Sequence, residues 1–263
     1  MPRIFFFDLD NTLLDHRTMS IPASALEAIG RLDSAGHTVA VATGRAYGHA
    51  RPYIDLIRPA WAITQNGARI LQGGRAVFSQ PLPPGRLVEL FAWMGEMGHP
   101  YGINDETSGY LSARTPMTTG PLDAVDMPYQ FDRPIHLERD VYQGWLFFDA
   151  ALDAALIPAV QARFPEFALV RWHRWAVDVQ LRACNKWTAC QWVMARAGFA
   201  PEQAVAFGDG PNDKEMLQGA GLGIAMGNGH PDLKAVADRI APAIHHDGVA
   251  RMLEELAAGG GLE

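Results

Sequence analysis

Phe5-Phe6-Phe7-Asp8-Leu9-Asp10-Asn11-Thr12-Leu13-Leu14 is an apolar run that stops on two aspartates and a turn. A buried strand that delivers acids to the lip of a sheet reads this way. The pattern recurs far down the chain, where Ala204–Phe207 leads into Gly208-Asp209-Gly210-Pro211-Asn212-Asp213. Asp8, Asp10, Asp209 and Asp213 gathered at one sheet edge would repel one another unless they shared a cation. A hard divalent ion with oxygen ligands meets that need. The two clusters therefore imply a magnesium site assembled from distant segments.

Outward from the first cluster, strand and helix alternate. The strand Ile4–Leu9 is followed by a helix over about 22–35, with Pro22 in its first turn and Gly36 just past its end. A second strand, Thr38–Ala42, breaks at Thr43-Gly44-Arg45; a helix spans about 47–57, and Trp61–Thr64 is a third strand. Ala68–Leu71 and Ala76–Ser79, separated by Gly73-Gly74, read as a β-hairpin. Pro81, Pro83 and Pro84 then mark a boundary. Beyond it the order is irregular: a helix over 85–97, short strands near 101–104 and 110–112, and a loop-rich stretch with Pro116, Pro121, Pro128 and Pro134. A strand at 143–149, a helix at 152–163 and strands at 168–171 and 176–181 complete an α+β insert. Alternation resumes after Cys184, with a helix over 186–197 and a last helix that Asp247 is placed to cap. The Gly-rich tail 258–262 reads as frayed. The expected fold is α/β: a doubly wound, mainly parallel Rossmann-like core sheet from residues 1–82 and 184–263, with an inserted α+β cap over 83–183.

Composition narrows the class. At 263 residues the chain suits a main domain and a smaller one. With 48% hydrophobic and 19% charged residues it has the make-up of an ordinary globular protein. A net charge of -7 and the absence of any Lys/Arg block argue against nucleic-acid binding. No apolar run approaches a membrane span and no signal pattern opens the chain, so a cytoplasmic enzyme is expected. Cys184 and Cys190 lack metal-ligand spacing and read as small buried hydrophobes.

Asp8 and Asp10, two apart at a strand end, project to the same side. The competing reading is a strand that ends in an Asx-turn. Thr43, after an apolar strand, offers a hydroxyl and a backbone N–H that suit a phosphate oxygen, or serves as an ordinary N-cap. Arg45 reads as a loop-bracing cation or as part of a substrate pocket. Lys186 stands at a predicted helix start, where a cation is unfavourable unless an anion lies beside it. Arg171, Trp172, His173, Arg174 and Trp175 could line a pocket, the aromatics stacking on a ring and the arginines holding a second anion, or could be edge packing. His245-His246 reads as a pair of solvated loop residues, Trp187 and Trp192 as helix-face core, and Asn66-Gly67 as a turn.

Asp8-Leu9-Asp10-Asn11-Thr12-Leu13-Leu14 resembles the first motif of the haloacid dehalogenase-like hydrolases, with Asn11 in place of a commoner glycine. Thr43-Gly44-Arg45 is similar to their second motif, Lys186 to the third, and Gly208-Asp209-Gly210-Pro211-Asn212-Asp213 to the fourth. Within the superfamily the chain resembles the Cof-type phosphatases, which insert an α/β cap between motifs two and three. Thr64-Gln65-Asn66-Gly67-Ala68 and Ala225-Met226-Gly227-Asn228 are similar to stretches of that subgroup. Trp187 stands where glycine is common. The resemblance implies Asp8 as a nucleophile that forms an aspartyl-phosphate and Asp10 as acid and base, the latter needing a raised pKa. It implies Thr43, Gly44, Lys186 and Asn212 on phosphate. Magnesium would be held by Asp8, the Asp10 carbonyl and Asp209, with Asp213 behind them or bound through water. The expected partner is a small phosphate ester, a sugar phosphate or phosphorylated cofactor, turned over by a monomer or small homo-oligomer. The alternatives are a sugar phosphomutase that uses the same intermediate and a non-catalytic binding module.

Overall fold

The computed structural model describes residues 1–131, 136 and 138–259; Pro134 and the tail residues 260–262 lie outside them. The chain forms two compact units. One comprises Met1–Arg45, Ala50–Phe78 and the chain from Asn185 onward; the other comprises Ala46–His49 and Ser79–Cys184.

The first unit is built on β1 (Ile4–Phe7), β2 (Thr38–Ala42), β3 (Trp61–Thr64), β4 (Arg69–Gln72) and β5 (Arg75–Ser79), joined after the insertion by three later strands. In the inserted unit come β6 (Tyr101–Asn104), β7 (Gly109–Leu111), β8 (Tyr129–Phe131), β9 (Gly144–Phe147), β10 (Phe167–His173) and β11 (Ala176–Leu181). The core sheet resumes with β12 (Ala204–Gly208), β13 (Leu222–Met226) and β14 (Arg239–Ala241). Its order is β14-β13-β12-β1-β2-β3-β4-β5, parallel from β14 to β3 and antiparallel at β3–β4. The chain leaves β1 toward one edge and returns through β12 toward the other. That reversal at the carboxyl ends of β1 and β12 is where open α/β sheets place their ligands.

Both faces of this sheet are covered, which is why its central strands are apolar throughout. Ile4 and Phe6 pack with Ala189, Cys190, Val193 and Met216 from the helices beyond the insertion. Phe5 and Phe7 alternate to the other face, where the helix Ala23–Ser34 lies against the helix Gly248–Ala258. Asp247 does not cap that last helix. Its residue sits in the left-handed region and its carboxylate accepts from Ser24 Oγ at 2.6 Å.

The inserted unit carries a six-stranded sheet of order β10-β11-β9-β6-β7-β8. Ile103, Leu146, Val177 and Val179 on one face pack with Leu87, Leu90 and Phe91 of the helix Pro84–Glu96 and Val160 of the helix Asp153–Arg163. The other face holds Trp145, Phe147 and Ala176 against Leu122. Leu122 belongs to a helix, Pro116–Asp123, where proline spacing suggests a loop. Thr115 caps it by accepting from the Thr118 N–H, and Pro116 takes the first-turn position that tolerates proline. Cys184 and Cys190 are buried and free. No described helix is long and apolar enough to cross a membrane.

Candidate active site

Parallel pairing aligns Phe7 with Val41 and with Phe207, so the residues that follow these strands emerge at one sheet edge. Asp8 begins this edge, its N–H on the Phe207 carbonyl at 2.9 Å. Asp8 and Asp213 are buried, and carboxylate oxygens of Asp8, Asp209 and Asp213 lie within 4.8 Å of one another. Among the described residues this is the group of side chains able to hold a metal; His245 and His246 stand outside it.

Lys186 is the first residue of the helix Lys186–Ala197, which Asn185 caps through a reciprocal box with Thr188. Its side chain is 1% exposed and its Nζ donates to Asp8 Oδ1 at 2.5 Å and to Asp213 Oδ1 at 2.6 Å. A buried ammonium is tolerable only with such partners. The two carboxylates hold the Lys186 pKa above its ordinary value although burial alone would lower it. The Trp187 indole lies against Gly219, where a Cβ would come within 2.1 Å of it.

Asp213 organises the loop. Its Oδ2 accepts from the N–H groups of Asp209 and Gly210, each at 3.0 Å, while Oδ1 holds Lys186. Gly208 is required beneath it, since a Cβ there would come within 2.5 Å of that side chain. Burial pushes the Asp209 carboxyl up to about 7, helped by the charge of Asp213 and opposed by Lys186. Burial likewise drives the Asp8 carboxyl well above its ordinary value, against Lys186 and with Asp213, Asp209 and Asp10. Such an excess of acid over base is the electrostatic signature of a site completed by a cation, and the all-oxygen donor set fits a hard divalent ion.

Asp10 departs from expectation. Burial favours its neutral form, yet hydrogen bonds from His16 and Arg45 outweigh it and hold the carboxyl at about 2. Arg45 reaches it through Nε at 2.9 Å and a terminal nitrogen at 2.6 Å, and His16 Nε2 lies 2.6 Å from Oδ1. Arg45 is thus a clamp on Asp10. The raised pKa that an acid role calls for is absent in this arrangement, because the clamp stabilises the carboxylate. His16 carried no motif signal; only its place in the turn after the aspartates could have suggested it.

Thr43 follows β2 and is fully buried. Its N–H, expected to be available for a phosphate, is spent on the Ile63 carbonyl at 2.9 Å, and its Oγ1 accepts from the Arg45 N–H. The hydroxyl proton remains its donor. Gly44 lies against Asn66, whose side chain a Cβ at Gly44 would approach to 3.2 Å. Asn66 is more than a turn residue: it is buried, and its Oδ1 accepts from Asn212 Nδ2 at 3.0 Å. Gln65, Asn66 and Gly67 all have positive φ, a strained run that places this amide beside the second and fourth motifs. Gly67 is obligatory there, for a Cβ would meet the Asn185 carbonyl at 2.4 Å. Asn228 ties Asn11 O to Ile244 N and so braces the first motif.

The residues expected around a pocket lie in the inserted unit. Arg171 is committed to Asp153 and to the carbonyls of His173 and Arg174, and Arg174 to Asp149. Neither is an anion receptor in this state. His173 accepts from the Trp175 N–H, and the Trp175 indole N–H donates to Asp149 at 3.3 Å. Trp172 packs against the apolar cluster around Trp145.

Comparison with known proteins agrees with this geometry. A family model described as haloacid dehalogenase-like hydrolase matches residues 5–253. A Bacillus subtilis protein provisionally named phosphatase YkrA is 30% identical, over 97% of each chain. A Streptococcus pyogenes protein provisionally named a bifunctional phosphatase/peptidyl-prolyl cis-trans isomerase is 34% identical over 97% of this chain, which spans only 54% of that relative. A solved structure of a hypothetical protein from Geobacillus kaustophilus superposes with a TM-score of 0.87 at 31% identity, over 98% of this chain and 99% of that one. With acids, lysine and turn in the expected order along one sheet edge, the chain belongs to the haloacid dehalogenase-like hydrolases, in their Cof-type phosphatase subgroup.

Proposed function

We propose that this chain is a magnesium-dependent phosphomonoesterase that hydrolyses a small phosphorylated metabolite through an aspartyl-phosphate on Asp8. The observation that carries the reading is the buried Lys186 ammonium, 2.5 Å from the carboxylate that would attack. A cation fixed there steadies Asp8 in its ionised form and faces the negative charge of an arriving phosphoryl group.

An Asp8 oxygen attacks phosphorus while the bond to the alcohol oxygen breaks, and Asp10 gives that oxygen its proton. Water then attacks the aspartyl-phosphate, Asp10 takes the water's proton, and the bond to Asp8 breaks to release phosphate. For the first step Asp10 must gain a proton, from His16, whose own pKa the Asp10 hydrogen bond raises, or from water once its carboxylate has left Arg45. The Thr43 hydroxyl and the Asn212 amide supply hydrogen bonds to phosphate oxygens. Asp8, Asp209 and the Asp10 carbonyl would hold the divalent ion, with Asp213 behind them, and the bound ion supplies positive charge against the phosphoryl oxygens. A relative from Escherichia coli, 27% identical, is named pyridoxal phosphate phosphatase, which is in keeping with a small-metabolite substrate here.

Phosphate release from a panel of phosphorylated metabolites, with magnesium and with chelator, tests the reading. Chelator-sensitive release is expected. Conversion of one sugar phosphate isomer into another without free phosphate would replace hydrolysis with a mutase.

A further inference from the structure

The turn that follows β13 touches the backbone of both acidic motifs. In the core sheet β12 lies between β1 and β13, and Gly208 pairs with Ala225. Gly227-Asn228-Gly229-His230 therefore emerges at the edge where Asp8 and Asp209 stand. The Asn228 side chain spans to the first motif, its Nδ2 donating to the Asn11 carbonyl at 2.8 Å. Two residues on, the His230 N–H donates to the Asp209 carbonyl at 2.8 Å. Gly229, between them, is pressed on the fourth motif: a Cβ there would come within 3.0 Å of the Asp209 carbonyl oxygen and 3.1 Å of its Cα.

The turn is anchored on its other side as well. Asn228 Oδ1 accepts from the Ile244 N–H at 2.8 Å, and Lys234 Nζ donates to the Gly227 carbonyl at 2.5 Å. The Asn228 amide thus donates on one side and accepts on the other, which a carboxylate or an apolar group cannot do. Asn228 is exposed, so packing does not dictate an asparagine there; the pair of bonds does.

What the amide holds is a strained residue. Asn11 has a φ of 55°, in the left-handed region that disfavours a side chain. Its N–H donates to the Leu14 carbonyl at 2.8 Å and its carbonyl takes the Asn228 bond, so the peptide planes on both sides of Asn11 are pinned. The plane that contains the Asn11 N–H also contains the Asp10 carbonyl.

We propose that Asn228 is a positioning residue for the divalent ion: through Asn11 it sets where the Asp10 carbonyl stands relative to Asp209. The proposal rests on the metal-dependent reading above and adds a residue that supplies no ligand itself. A cation of the magnesium kind demands near-ideal geometry, so a ligand whose backbone is freed is felt as lost affinity while the fold persists.

The test titrates manganese(II) into substrate-free protein and counts the free ion by electron paramagnetic resonance. Asn228→Ala, folded by circular dichroism, should bind about 10- to 100-fold more weakly than the wild type. Gly229→Ala, which pushes on Asp209 from the same turn, should weaken binding too and serves if Asn228→Ala folds poorly. Asp209→Asn marks the loss expected when a ligand carboxylate goes. Weakened binding in Asp209→Asn with wild-type affinity in the two turn variants would overturn the proposal and leave the metal reading standing. Lower thermal stability of Asn228→Ala at unchanged affinity would likewise reduce the bond to a structural one. Wild-type affinity in Asp209→Asn would show that the ion is not held at this edge, and both readings would fall together.

Discussion

Lys186 Nζ sits 2.5 Å from Asp8 Oδ1 and 2.6 Å from Asp213 Oδ1, all three groups buried, so one ammonium bridges two carboxylates from opposite ends of the chain. It pins the helix it begins to both acidic loops. Lys186→Met should cost about 3–5 kcal/mol, since it strands two buried charges. Denaturant unfolding would show this, and adding Asp213→Asn should recover part of the stability while activity stays lost. Equal stability of wild type and Lys186→Met would mean the carboxylates are already neutral.

The two aspartates of the first motif should separate by what remains after mutation. Asp8→Asn removes the proposed nucleophile and should abolish both turnover and covalent phosphate labelling. Asp10→Asn removes the proposed proton transfer, typically worth about 10²–10⁴ in rate, while its backbone carbonyl stays available to a cation. Magnesium-induced thermal stabilisation should therefore survive Asp10→Asn and weaken in Asp209→Asn.

Arg45 and His16 make a sharper prediction about Asp10. Arg45→Met removes the bidentate half of the clamp, so burial should drive the Asp10 carboxyl upward from about 2. The alkaline limb of the pH dependence of kcat/KM, where Asp10 loses the proton it must give, should move to higher pH, and carbon-detected NMR should follow the carboxyl directly. Arg45→Lys should restore little, because an ammonium cannot reproduce two parallel N–H bonds. An unmoved carboxyl would assign the clamp to His16 alone.

The core of the fold was legible because buried parallel strands are apolar and stop abruptly: Ile4–Phe7, Thr38–Ala42 and Ala204–Gly208 each end where acids or Thr-Gly begin. Chemistry concentrated at those ends could be read with them. What escaped is set by tertiary pairing. Arg45 and His16 are unremarkable loop residues until the fold lays both on Asp10. Asn66 carries the sequence of a common turn and acquires its role only through Asn212. In the inserted unit, Asp178 and Gln180 alternate with apolar residues along β11 and Gln143 stands just before β9, so alternation alone marks them as solvent-facing when the fold buries them.

Gly208 tests how tightly the fourth motif is packed. A methyl group there would meet the Asp213 side chain at 2.5 Å, so Gly208→Ala must displace the carboxylate that orders the loop and holds Lys186. Overpacking of this kind costs about 1–3 kcal/mol. Activity should fall well beyond what that loss of stability explains. A folded Gly208→Ala enzyme with wild-type kinetics would show the loop to be pliable.

Asp178 sets a pH dependence of stability that one substitution should erase. The unfolded chain ionises this group near its ordinary 3.8, whereas burial keeps the folded carboxyl protonated up to about 7. Between those values the folded state holds the extra proton, so stability contributed by this site falls as pH rises and the full penalty is present above about 7. Three pKa units correspond to about 4 kcal/mol. Asp178→Asn keeps an acceptor for Gln143 and has no charge to bury, so its advantage over the wild type should be near zero at pH 4 and grow toward pH 8. Parallel denaturation curves for the two proteins across that range would show instead that the carboxyl reaches water or a cation, and would place its pKa near the ordinary value.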